Sequence, residues 1–129
     1  MRHYAALTQS LCLYAGACPE EEADRVRAHL ASGEGLIPVT LSHSIYKYEA
    51  LLADPARYGS YVRREIERIW GGMLTAGATS FWETEKGADD FHYAGSLCHG
   101  WSAIPVYFYG HYADALGLKQ CAPEGERHA

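Results

Sequence analysis

Two short segments in the C-terminal half of the chain place ionisable residues beside tryptophans. They are residues 77–83, with the sequence GATSFWE, and residues 96–101, with the sequence SLCHGW. An indole offers a large apolar face against which a sugar ring can stack, and a carboxylate or an imidazole can move a proton. The intervening residues 84–95 are too many and too polar for a simple turn. We therefore expect the two segments to frame one site.

Glu83 is the candidate for a catalytic base. It follows two aromatic residues, and partial desolvation by their rings would raise the pKa of the carboxyl and favour proton acceptance. The competing interpretations are a surface acid and an acid paired with a cation of the loop. Cleavage of a glycosidic bond normally needs a second carboxylate. The nearby acids Glu85, Asp89 and Asp90 have no apolar setting in the sequence.

Five further residues are candidates for substrate binding: Trp82, His99, Trp101, His43 and Tyr46. The imidazole of His99 could bind a sugar hydroxyl, or it could be a hydrogen-bonded core histidine. Trp82 and Trp101 could form stacking walls, although core packing is favoured for Trp101 because it lies inside a predicted helix. His43 and Tyr46 could add polar contacts to the same cavity, and ordinary packing is the alternative for both.

The cysteine spacing indicates neither a zinc motif nor a disulfide framework. The four cysteines are Cys12, Cys18, Cys98 and Cys121. We predict reduced thiols, with Cys12 and Cys98 buried. A zinc site built from Cys98, His99 and His92 is the less favoured alternative, so we expect neither a metal nor a cofactor.

Length and charge exclude several classes of protein. A chain of 129 residues fits one domain with a real core. The formal net charge of −5 argues against nucleic acid as a partner, because no basic stripe replaces phosphate counterions. No segment has the apolar length that spans a bilayer, and the N-terminus does not read as a signal peptide. These features favour a cytoplasmic location.

The hydrophobic pattern predicts an all-α fold of about five helices in antiparallel hairpins. We expect helices over residues 3–14, 19–33, 55–77 and 96–116, the last one kinked at Pro105. Between them, Ser42 or Ser44 can cap a third helix that runs to Ala53. The first helix is apolar almost all round and should be buried, whereas the second is amphipathic and should lie outside. Short and long connections alternate, which places residues 33–41 and 77–95 at one end. Residues 1–118 thus form the domain, and the polar residues 119–129 should be a disordered tail.

Several of these segments together resemble the end of the catalytic domain of bacterial alpha-L-rhamnosidases, which are six-hairpin glycosidases. The resemblance rests on residues 70–74 (WGGML), 77–83 (GATSFWE) and 96–103 (SLCHGWSA), with Pro105 after them. Residues 8–9 (TQ) and 48–52 (YEALL) are also similar to the family. The resemblance extends from His3 to Gly117, which is nearly the whole chain.

This resemblance implies part of an (α/α)6 toroid and an inverting hydrolysis of terminal alpha-L-rhamnosides. Glu83 matches the position of the general base, and His99 and Trp82 match positions that line the sugar pocket. The general acid of the family lies upstream, in a segment that this chain lacks. The first predicted helix begins without a cap, as expected of a truncated or separately encoded C-terminal piece. We therefore expect the chain alone to be inactive.

A missing half-toroid would expose an apolar face, so self-association or binding of a complementary upstream chain is expected. Two alternatives to the rhamnosidase fragment stay open. One is a non-catalytic helical module that binds carbohydrate or protein. The other is a six-hairpin glycosidase that acts on another sugar.

Overall fold

The computed structural model describes residues 4–118, which form the predicted all-α fold with 63% helix and 3% strand. The α-helices are α1 (Ala6–Tyr14), α2 (Glu20–Ser32), α3 (Ser44–Leu52), α4 (Pro55–Thr75), α5 (Asp90–Tyr93) and α6 (Ile104–His111). Two short strands, β1 (Tyr4–Ala5) and β2 (Leu36–Ile37), pair in parallel. Three 3₁₀ turns span Leu41–His43, Gly87–Asp89 and Gly100–Ser102.

The longest helix, α4, begins and ends where its sequence signals predict. The carboxylate of Asp54 accepts the Arg57 backbone N–H at 3.2 Å, and Pro55 occupies the first turn. At the other end Gly77 adopts a φ of +86°, and the Ala78 N–H bonds the Met73 carbonyl at 3.0 Å. This left-handed termination aims the chain directly into the first tryptophan segment.

The core lies where α3 packs between α1, α2 and α4. Tyr48 of α3 is fully buried and meets Phe108 of α6 edge-to-face, with ring centroids 5.4 Å apart. Trp70 of α4 is buried, and its indole Nε1 donates to the Ser102 carbonyl at 2.8 Å. This bond fixes the 3₁₀ turn of the second tryptophan segment against the longest helix.

Helix α2 is amphipathic and lies on the outside, as predicted. Only Ala23 and Leu30 of this helix are buried. The guanidinium of Arg27 donates from Nε to the Ala50 carbonyl at 3.0 Å, which holds α2 against α3. Gly33 ends the helix with a φ of +66°.

The prediction of a buried first helix is wrong. In α1 only Ala6 and Ser10 are buried, while Leu11 is 39% exposed and Tyr14 is 58% exposed. Helix α1 packs against α2 and α3 with one face, so its opposite apolar face meets solvent. For the same reason Cys12 is exposed, and Cys98 is exposed on the loop before α6, so the predicted burial of these two thiols is also wrong.

The predicted fifth helix begins later than expected. Helix α6 starts at Ile104, and Pro105 lies in its first turn, where a missing N–H is tolerated and no kink results. Upstream of it, the backbone of His99 is extended, with φ −131° and ψ 94°. Beyond α6, Gly117 has a φ of +65° and ends a final turn. The predicted tail, residues 119–129, lies outside the described residues.

Within residues 4–118, no helix has both the length and the apolar character that crossing a membrane would require.

Candidate functional site

The two long loops meet at one end of the helices, as the alternation of connections predicts. The 3₁₀ turn Leu41–His43, at the end of the first long loop, contacts the turn Gly100–Ser102. Glu85 of the second long loop lines one cavity together with Thr40 of the first. All candidate residues from the sequence therefore lie on elements that gather at this end.

The two tryptophan segments lie side by side as an extended antiparallel pair. The Glu83 N–H donates to the Ser96 carbonyl at 2.9 Å, and the His99 N–H donates to the Phe81 carbonyl at 2.7 Å. The Ser80 hydroxyl also donates to the Leu97 carbonyl. These bonds satisfy the backbone groups that a helix beginning at Ser96 would have used, which explains why α6 begins later.

The Glu83 carboxylate is half-buried and held by backbone. Its Oε2 accepts the Ser96 N–H at 3.3 Å, and no bond reaches Oε1 from the described part of the chain. Arg68, a cation of this region, instead binds Glu85, with N···O distances of 2.7 and 3.3 Å. Among residues 4–118, Glu83 is therefore oriented without a salt bridge, and one oxygen is left for a water or a substrate.

The Trp82 indole is enclosed by the core on one side and by Gly87 of the second long loop. Its indole is half-buried against the core, and Gly87 presses on it so closely that a Cβ there would lie 2.7 Å from the ring. The same added atom would lie 3.1 Å from the Leu97 side chain. Trp82 therefore anchors the second long loop, and the surface it can offer a sugar is limited.

Trp101 is exposed, whereas the sequence favoured a buried core position. It is 78% exposed, since residues 100–102 form a 3₁₀ turn outside the helix. Its indole meets the half-buried imidazole of His99 edge-to-face, with centroids 6.2 Å apart. The interpretation of Trp101 as core is wrong, and its ring is available for stacking.

His43 and Tyr46 lie beside this pair, at the start of α3. The exposed His43 has its Nδ1 2.7 Å from the Thr40 hydroxyl, and its ring stacks on Tyr46 with a centroid distance of 6.4 Å. Tyr46 in turn meets Tyr14 of α1 at 5.5 Å. The turn contact described above brings His43 towards Trp101, but no hydrogen bond joins it to Glu83 among the residues described.

The short element α5 in the second long loop is a left-handed turn and not a regular helix, a feature that sequence reasoning missed. Phe91, His92 and Tyr93 have φ values of 50°, 59° and 68° without a glycine among them. This conformation costs about 1–2 kcal/mol per residue for L-amino acids. The side chains of Phe91 and Tyr93 are 54% and 83% exposed, so the turn presents aromatic rings to solvent near the candidate site.

Asp90 holds this turn in place. Its Oδ1 accepts the Phe91 N–H at 2.9 Å, and its carbonyl accepts the Ala94 and Gly95 N–H groups at 3.0 and 3.1 Å. The nearby Thr84 hydroxyl and then the Phe91 N–H lower the pKa of the Asp90 carboxyl, because both favour the charged carboxylate. Asp90 is therefore occupied within its own loop.

Three polar clusters were also missed, and the signal for two of them is the placement of Lys47 and Glu49 in an otherwise apolar helix. Lys47 binds both oxygens of Glu65 at 2.9 Å. Glu49 accepts hydroxyls from Tyr107 at 2.8 Å and from Tyr112 at 2.5 Å. The third cluster is the ion pair of Arg68 with Glu85. The hydrogen bonds to Glu49 raise the pKa of both tyrosines, because the carboxylate favours the protonated phenol.

Across residues 4–118, no group of three or more His, Cys, Asp or Glu side chains could hold a metal ion. Cys98, His99 and His92 are therefore not assembled as the alternative zinc site. No family model matches this chain, and no curated protein or solved structure shows a significant match to it.

Proposed function

We propose that this chain is the C-terminal part of a rhamnosidase-like glycoside hydrolase and carries the general-base side of its site. In the full enzyme the helices would complete an (α/α)6 toroid that hydrolyses terminal alpha-L-rhamnosides with inversion. The observation that carries the proposal is the backbone pairing of Glu83 with Ser96 and of Phe81 with His99. It brings both segments of the family resemblance to one place.

In such a reaction Glu83 would activate the attacking water. An inverting base must hold a water on the face of the sugar opposite the leaving group, with the two carboxyls about 6.5–9.5 Å apart. The Ser96 N–H holds Oε2 of Glu83 and leaves Oε1 to accept the proton of that water. His99 would bind a sugar hydroxyl, and the exposed Trp101 would stack on the ring.

Two of the other acids of this region, Glu85 and Asp90, agree with the proposal of a missing upstream half. Glu85 is paired with Arg68, and Asp90 is bound within its loop. Neither is placed as a proton donor for a leaving group. A general acid supplied by another segment agrees with this arrangement, and so does the apolar surface left uncovered on α1 and α6. That surface includes Leu11, Tyr14, Val106, Tyr107 and Tyr109.

The test is an assay on an aryl alpha-L-rhamnoside before and after the upstream half is supplied. The chain alone is expected to show no turnover. The chain extended upstream, or mixed with a separately encoded upstream half, is expected to hydrolyse the substrate. Replacement Glu83→Gln should then lower kcat by at least about 100-fold, as loss of a general base does. Asp89→Asn, an exposed acid of the same loop, is the matched control.

Turnover by the isolated chain that Glu83→Gln abolishes would refute the claim that the acid lies elsewhere. Full activity of the extended Glu83→Gln variant would refute the assignment of the base. Profiling the extended enzyme on other aryl glycosides decides between rhamnose and another sugar.

A non-catalytic binding module is the second candidate. It is favoured by the exposed aromatic side chains of Phe91, Tyr93 and Trp101 and by the engagement of Glu85 and Asp90 with partners inside the chain. Saturable binding of rhamnose by the isolated chain, together with no activity in any upstream-extended form, would favour it.

A further inference from the structure

The cavity that Thr40 and Glu85 line together lies beneath the first long loop. Its volume is ≈ 270 Å³, and no residue of the two tryptophan segments lines it. Its floor contains the buried side chains of Leu30, Ser44 and Tyr48, and the exposed residues Pro38 and Thr40 lie at its rim. None of the candidate residues from the sequence lines this cavity.

The volume of ≈ 270 Å³ is too large for a single structural water. At ~30 Å³ of liquid volume per molecule it would hold about nine waters. It lies near the lower end of small-molecule sites, which begin at about 300 Å³. A molecule the size of a monosaccharide is therefore the largest ligand that fits.

One polar group of this cavity has no partner. Tyr48 is 0% exposed, and its hydroxyl makes no hydrogen bond with any described residue. Burial raises the pKa of this phenol, so the hydroxyl is protonated and can donate. A buried hydroxyl is normally hydrogen-bonded, because leaving it unpaired is unfavourable. A ligand hydroxyl in the cavity would supply the missing acceptor.

The charged groups of the cavity are already paired with one another. Lys47 Nζ donates to Tyr61 Oη at 3.0 Å and to both oxygens of Glu65 at 2.9 Å. Arg68 binds Glu85 through two nitrogens. A charged ligand would lose its hydration without gaining an unpaired counter-charge. The carboxylate oxygens, by contrast, keep lone pairs that can accept hydrogen bonds from neutral hydroxyls.

The remaining wall is apolar and comes from Leu36, Val39 and Ile69. A wall of this kind suits the C–H face of a sugar or cyclitol, while the polar side meets its hydroxyls. We propose that this cavity binds a neutral polyol of monosaccharide size, with the Tyr48 hydroxyl donating a hydrogen bond to it. The proposal is independent of Glu83 and of hydrolysis.

The test titrates the full chain with D-glucose as the probe. ¹H–¹⁵N NMR spectra report the binding. We expect saturable shifts at the backbone of residues 36–48, with a Kd on the order of millimolar for a ligand this small. Tyr48→Phe removes only the unpartnered hydroxyl and should weaken binding about threefold to tenfold, the effect of one neutral hydrogen bond. D-Glucuronate, which differs by one carboxylate, should bind more weakly than D-glucose.

Tyr58→Phe is the matched control. Tyr58 is also buried with an unpartnered hydroxyl, but it does not line this cavity. Its replacement should leave the Kd unchanged. The proposal is overturned by an absence of saturable shifts up to roughly 100 mM, far above the expected Kd. It is also overturned if Tyr48→Phe binds as tightly as the unmodified chain, or if D-glucuronate binds as tightly as D-glucose. Near-UV circular dichroism of each variant establishes that it is folded.

Discussion

Individual carboxylates of this chain have different chemical roles because each has a different partner. Glu83 is held by a backbone N–H, whereas Glu85 is neutralised by Arg68. Glu65 is neutralised by Lys47, and their side chains are only 18% and 11% exposed. A backbone bond orients a carboxylate without cancelling its charge, which agrees with the proposed role of Glu83 in proton transfer.

The Lys47–Glu65 pair allows a prediction about stability. Lys47→Met removes the cation and leaves Glu65 partly buried and uncompensated, so unfolding free energy should fall by about 2–3 kcal/mol. The double variant Lys47→Met/Glu65→Met removes the stranded charge and should recover most of that loss. Urea unfolding of the two variants measures both values.

Arg25→Met is the control for this comparison, because Arg25 belongs to the exposed pair with Glu22. Its unfolding free energy should change by less than about 1 kcal/mol. If the double variant were as unstable as Lys47→Met alone, the stranded charge would not be the cause.

Among the elements, the second long loop is the most unusual, since it contains three consecutive non-glycine residues with positive φ. Tyr93 has a φ of 68° and is 83% exposed, so its side chain contributes little packing to offset the backbone cost. Tyr93→Gly should therefore raise the unfolding free energy by about 0.5–1 kcal/mol, the relief of left-handed strain less the entropy of glycine. Tyr93→Ala keeps the Cβ and should give no such gain. Equal stability of the two variants, measured by urea unfolding, would contradict the strain at this residue.

Helix ends that depend on contacts within a few residues could be predicted from the sequence. Backbone conformations and side-chain exposures that depend on residues far away in the chain could not. Asp54 and Gly77 mark the ends of α4 through contacts within a few residues. The extended backbone of His99 depends on Phe81, eighteen positions away. The exposure of Cys12 depends on which neighbours cover α1. The gathering of the candidate residues at one end was predictable, but their individual burial was not.

Over the whole molecule, apolar surface is left in solvent on several helices. A cavity of ≈ 460 Å³ lies between α4 and α6, lined by Met73, Leu74, Phe81 and Tyr109 among others. Leu74 is 72% exposed at this groove. Exposed apolar surface of this extent is typical of an interaction site, in agreement with the proposal that upstream helices or a second copy cover it.

We therefore predict that the isolated chain self-associates and that Leu74→Glu weakens the association. Burial of a leucine contributes about 1.5–3 kcal/mol, so the replacement should raise the dissociation constant at least about tenfold. Sedimentation velocity over a range of protein concentrations measures this change. Glu21→Lys, an exposed position on the outer helix α2, is the control and should leave the association unchanged. A chain that sediments as a monomer at every concentration and binds no dye for apolar surfaces would contradict the prediction of an uncovered face.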